Sequence, residues 1–102
     1  LAWEKAGQIW WTSLTAGQVE TSVAIPGDGG SRKHPSITSD ETGQILVAWA
    51  EGTRWARGGD LAWQLYSPER VARESGRLDG AIEPWSRAAV VARPGGGFYV
   101  IH

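Results

Sequence analysis

The chain has no cysteine and no methionine, only two histidines and one phenylalanine. Without cysteine there is no disulfide framework, no iron–sulfur cluster, no cysteine-ligated zinc and no cysteine nucleophile. His34 and His102 have no carboxylate spacing that would make them a metal pair, so no metal and no cofactor is expected. Ten Lys+Arg against eleven Asp+Glu give a formal net charge of −1. That balance excludes a strongly basic surface binding nucleic acid through its phosphates. No stretch approaches the ~18 apolar residues that cross a bilayer, and the N-terminus lacks a charged-then-apolar signal segment. The first residue is Leu1, which reads as a processed chain or a fragment.

What is abundant is tryptophan, seven residues, and glycine, fourteen. Apolar side chains recur with period two, the mark of β-structure. The segments Gln8–Leu14, Val19–Ile25, Gln44–Ala50, Leu61–Tyr66, Ser86–Ala92 and Phe98–Ile101 read as strands. Gln44–Ala50 is apolar at every position from Ile45 onward, so both of its faces should be buried. Leu61, Trp63 and Leu65 share one face of their strand. Asp40–Gly43 and Arg93–Gly97 read as hairpin loops, with glycine where the backbone needs positive φ. No long helix is expected; the best helical candidate is Pro68–Ser75. Pro26–Gly30 is glycine-rich but lacks the Lys-Ser/Thr and following helix of a phosphate loop. Arg32-Lys33-His34 reads as a solvated basic turn before a strand.

The chain also repeats itself. Ile37–Trp49 lies over Val90–His102 without a gap, 53 residues on, as strand, turn and strand. Ala2-Trp3 lies over Ala48-Trp49, and Ile9-Trp10-Trp11 over Leu61-Ala62-Trp63, with an insertion around Thr53–Gly58. A four-stranded unit of about 50 residues is the size of one β-propeller blade. The expected fold is therefore all-β, one unit over 1–102. It would hold about two four-stranded antiparallel blades of a partial propeller, with blade-like repeats over approximately 1–49 and 46–102. A β-sandwich is the alternative. Trp3, Trp11, Trp49 and Trp63 fall at repeat-equivalent positions and are expected in the packing between blades, while Trp10 and Trp85 stand off that register. Two blades cannot close a ring, and Leu1–Glu4 and Phe98–Ile101 both need sheet partners. The chain is expected to be part of a larger propeller or to form a ring-like or strand-exchanged homo-oligomer, three copies giving six blades.

Lys33–Trp49, with the following Ala50–Trp55 and Gly58–Gln64, resembles the first hairpin and its continuation in blades of sialidase-like propellers carrying BNR (Asp-box) repeats. The likeness covers most of the chain and looks most like a C-terminal portion. The family's Asp box, Ser-x-Asp-x-Gly-x-Thr-Trp, lies between the third and fourth strands of a blade. Ser13–Glu20 falls there in degenerate form: Ser13 and Gly17 match, Thr15 replaces the Asp, and Val19-Glu20 replace Thr-Trp. In the family this turn is structural, so the resemblance implies a fold role for Ser13, Thr15 and Gly17. The family's three arginines, Tyr–Glu nucleophile pair and Asp acid/base cannot be matched motif by motif.

The resemblance implies a carbohydrate- or protein-binding or scaffold module without its own catalysis. The alternative is a part of a glycoside hydrolase whose catalytic residues lie mostly outside this chain. The ligand candidates are Glu51, Arg54, Trp55 and Arg57, in the inserted loop between the second and third strands of a blade. A tryptophan there can stack on a sugar ring and an arginine can pair a carboxylate. The competing reading packs Trp55 on a neighbouring blade and pairs Glu51 with Arg54. The bacterial proteins that the chain resembles tend to be exported, so the resemblance implies a periplasmic or extracellular place, with a cytoplasmic one left open.

Overall fold

The computed structural model describes residues 1–15, 17–27, 31–52, 58–84 and 86–102, and every regular element among them is a strand. In chain order these are β1 (Ala2–Lys5), β2 (Gln8–Trp11), β3 (Leu14–Thr15), β4 (Gln18–Val19), β5 (Val23–Ala24), β6 (Arg32–Ser39), β7 (Ile45–Glu51), β8 (Gly59–Tyr66), β9 (Ala72–Ile82), β10 (Ala89–Ala92) and β11 (Phe98–Ile101). All pairings are antiparallel. β6-β7-β8-β9 form a four-stranded meander, β1-β2-β5 a three-stranded sheet, β10-β11 a two-stranded sheet, and β3-β4 a small separate hairpin.

The meander is the middle of three layers, because β7 is apolar on both sides. Val47 and Trp49 join Ile9, Trp11, Ile25, Ala62 and Tyr66 in one core, under the β1-β2-β5 sheet. Leu46, Ala48 and Ala50 join Leu61, Ile82, Ala88 and Val90 in a second core, under β10-β11. All five residues from Leu46 to Ala50 are buried, as the double-sided alternation requires. Trp11 is fully enclosed, its ring 4.7 Å from that of Tyr66. An aromatic side chain of this size removes ~200 Å² from water, an upper limit of about 5 kcal/mol at ~25 cal/mol per Å².

Two turns share a hydrogen-bond pattern. In the first turn Asp40 N donates to Gln44 O (3.0 Å) and Gly43 N to Asp40 O (3.1 Å). In the second, Arg93 N donates to Gly97 O (2.9 Å) and Gly96 N to Arg93 O (3.1 Å), the same bonds at the 53-residue spacing. The ladders agree as well. Ala2 faces Trp11 and Trp3 faces Trp10; at the equivalent places Ala48 faces Trp63 and Trp49 faces Ala62. The buried Asp40 carboxylate joins the two turns. Its Oδ1 accepts from Thr42 N, Thr42 Oγ1 and Gln44 N, and its Oδ2 accepts from Gly97 N at 2.8 Å. These donors, Gly97 first, hold the Asp40 carboxyl below its ordinary value.

Three expectations are corrected. Pro68–Ser75 is not helical: Arg70, at φ 68°, closes a turn in which Arg70 N donates to Ser67 O and Val71 N to Ser67 Oγ. The chain then enters the eleven-residue strand β9. Val19–Ile25 is not one strand but two short pieces, β4 and β5, and Val19 is exposed. Arg32 is not a solvated turn residue; it opens β6 and is 7% exposed. Its Nε donates to Glu51 Oε1 (2.9 Å), Nη1 to Gln8 Oε1 (2.9 Å) and Ile25 O (3.3 Å), and Nη2 to Pro26 O (2.9 Å). The guanidinium also lies 5.2 Å over the Trp49 ring. Partners for four of its five N–H groups make burial of this charge tolerable.

Candidate functional site

The candidate site is the end of the meander where β7 stops and β8 begins. Arg54, Trp55 and Arg57 lie outside the described residues; Glu51, the fourth candidate, ends β7. Its ladder partner is Asp60 on β8. Two carboxylates facing each other across strands repel, and β9 supplies the remedy. Arg77 lies opposite Ala62, a small residue that leaves room for a long side chain to reach toward the strand ends. Its Nη1 is 2.9 Å from Glu51 Oε2, its Nη2 2.5 Å from Asp60 Oδ2, and its Nε 3.3 Å from Asp79 Oδ1. Asp60 first, then Glu51, holds the Arg77 guanidinium above its ordinary value.

Glu51 accepts three charged or polar donors. Oε1 takes Arg32 Nε and the Trp49 indole N–H, at 2.9 and 2.8 Å, and Oε2 takes Arg77. Two guanidinium groups thus stand among the three carboxylates of Glu51, Asp60 and Asp79, a net of one negative charge. Asp60 Oδ1 also accepts from Gly80 N at 2.8 Å, fixing the close of β9. Two depressions adjoin Glu51. One, of about 390 Å³, lies between Gly58, Asp60, Gly80 and Glu83. The other, of about 280 Å³, is walled by Trp49, Trp63, Gln64 and Arg77. Gly58 is required where it stands, since a Cβ there would overlap the Ile82 carbonyl oxygen. The arrangement offers a half-exposed guanidinium, an exposed Asp79 carboxylate and indole edges.

The degenerate Asp-box residues lie elsewhere, at the β3-β4 hairpin. Ser13 O accepts from Glu20 N at its base, Thr15 is in β3, and Gly17 turns with φ 79°. Among the tryptophans, Trp11 and Trp49 are buried and Trp3, Trp10 and Trp63 half-buried. Asp60 and Arg77 are site residues that sequence reading did not single out, and Arg32 is one that it read as solvated. Among the described residues no group of three or more His, Cys, Asp or Glu is placed to hold a metal ion, and no helix is long and apolar enough to cross a membrane. No family model matches the chain, and neither the curated proteins nor the solved structures give a match.

Proposed function

We propose that the chain is a piece or subunit of a sialidase-like β-propeller and acts as a carbohydrate-binding scaffold module without catalysis of its own. The observation that carries this reading is the pair of turns with the same hydrogen bonds 53 residues apart, opening two hairpins that lie in neighbouring layers. Such stacked meanders are what radial repetition of blades requires. The binding end is where the inserted loop leaves Glu51 and returns at Gly58. Glu51 serves the fold there: with Arg32, Trp49 and Arg77 on its oxygens, it anchors the loop's root. Contact with ligand falls to Arg54, Trp55 and Arg57, and to the open side of Arg77.

The test is a glycan array followed by calorimetry on the best hit. Binding of an acidic or hydroxyl-rich oligosaccharide, abolished by deleting residues 53–58 and weakened by Arg54→Ala or Arg57→Ala, is expected. A panel of aryl glycosides should stay unhydrolysed. Hydrolysis lost on the same arginine substitutions would replace this reading with the glycoside hydrolase one, and unchanged glycan binding after the deletion would remove the loop from the site.

A further inference from the structure

The first core closes over polar atoms that it does not satisfy. Among the described residues, Trp11 Nε1, Tyr66 Oη and Arg70 Nε are buried side-chain atoms without a hydrogen-bond partner. Buried polar atoms in a native interior are otherwise paired, so each of these asks for a cause. They belong to neighbouring groups, with Trp11 against both of the others. The Trp11 and Tyr66 rings lie 4.7 Å apart at 59°, and the Arg70 guanidinium carbon stands 4.9 Å from the centroid of the Trp11 ring. Trp11 and Tyr66 are enclosed, at 0% and 1% exposure, and Arg70 is half-buried. The place is the end of the meander where β8 stops, Tyr66 facing Ile45 across the ladder, whereas Glu51 and Asp60 close the other end. It is thus separate from the loop assigned to glycan.

All three orphans are donors. Burial holds the Tyr66 phenol above its ordinary value, and the Trp11 N–H beside its oxygen and the Arg32 charge oppose that shift without reversing it. The phenol therefore keeps its proton at neutral pH. Arg70 carries a fixed positive charge. Its Nη2 donates to Thr21 O, which anchors the guanidinium, and no carboxylate among the described residues forms an ion pair with it. Arg70 also has φ 68°, a left-handed conformation that glycine adopts at less cost, so the turn keeps an arginine against its backbone preference. A water here would accept from two of these donors and bring two hydrogens that need acceptors of their own. An anion accepts from all three and balances the charge. We propose that Trp11, Tyr66 and Arg70 form a buried site for one monovalent anion of halide size. The ion accepts from the indole N–H, the phenol O–H and the guanidinium Nε–H, and so joins β2, β8 and the turn that follows β8. A larger oxyanion has no room where both rings are enclosed. Arg70 forms the solvent side of the site, and the ion enters past its guanidinium.

Thermal melts by circular dichroism, in sodium bromide against sodium gluconate at equal ionic strength, read the site. The wild-type Tm should be about 4–8 °C higher in bromide, the shift given by a ligand at roughly five times its Kd, and the rise should saturate with bromide concentration. Tyr66→Phe keeps the ring and removes an unpaired hydroxyl, so in gluconate it should melt no lower than the wild type. Arg70→Leu alters a half-buried turn residue and should still fold. Each variant should lose most of the bromide-dependent rise. Crystals grown in bromide should carry an anomalous peak between Trp11 Nε1, Tyr66 Oη and Arg70 Nε. Equal wild-type melts in the two salts overturn the proposal, as does a rise that both variants keep, or an ordered water at that place with no anomalous signal.

Discussion

At the scale of single residues, Arg32 and Gly76 decide most. Arg32 is a buried cation held by one carboxylate, one amide and two backbone carbonyls, with Trp49 beneath it. Without Arg32, Glu51 keeps Arg77 and the Trp49 indole as partners, but the Gln8 amide and the Ile25 and Pro26 carbonyls lose this buried donor, at about 1–3 kcal/mol. Arg32→Ala is therefore expected to lose that much in urea denaturation, a large share of the ~5–15 kcal/mol typical of a domain. Gly76 acts by what it lacks. A Cβ there would overlap the Trp63 ring, so Gly76→Ala must displace an indole. We expect a loss of about 1–3 kcal/mol, read as a lowered Tm, and a smaller loss in a Trp63→Leu background.

At the scale of elements, the Asp40 turn ties two hairpins together. Its folded pKa is depressed, so the stabilisation is present above the unfolded value near ~3.9 and is lost as pH falls through the lower folded value. Asp40→Asn should lower stability at neutral pH and flatten the acid limb of the stability profile below about pH 4, measured by thermal melts across pH. How far elements could be read in advance follows from what holds each one. β7 announces itself because both its faces are buried, and β11 because its four residues are apolar. β9 does not: Arg73, Glu74, Ser75 and Arg77 are exposed, and its bonds are to the main chain of β8 and the Gln64 amide, which donates to Arg73 O and Glu74 O. A strand held by backbone at a polar edge carries no period-two signal. Arg32 was illegible for a related reason: beside Lys33 and His34 it reads as solvated, and its partners Gln8 and Glu51 are 24 and 19 residues away. Glu51 was legible as a loop root, but the Arg77 clamp could not be foreseen without β9.

At the scale of the whole molecule, three layers share two cores, and the middle one belongs to both. Local opening should follow that arrangement. In native-state hydrogen exchange the amides of β7 should open only with global unfolding, whereas those of β11, with Tyr99 and Ile101 exposed, should exchange at least tenfold faster, about 1.4 kcal/mol of opening free energy. The sharing also sets how freely the sequence can drift. Ala48 and Ala50 are wholly enclosed, and a packed interior concedes little volume there. A saturation library should accept almost nothing at these two positions, yet tolerate nearly every residue at Arg73 and Glu74. The chain's capacity to vary is thus concentrated at its polar edge, and its least replaceable letters are two of its smallest.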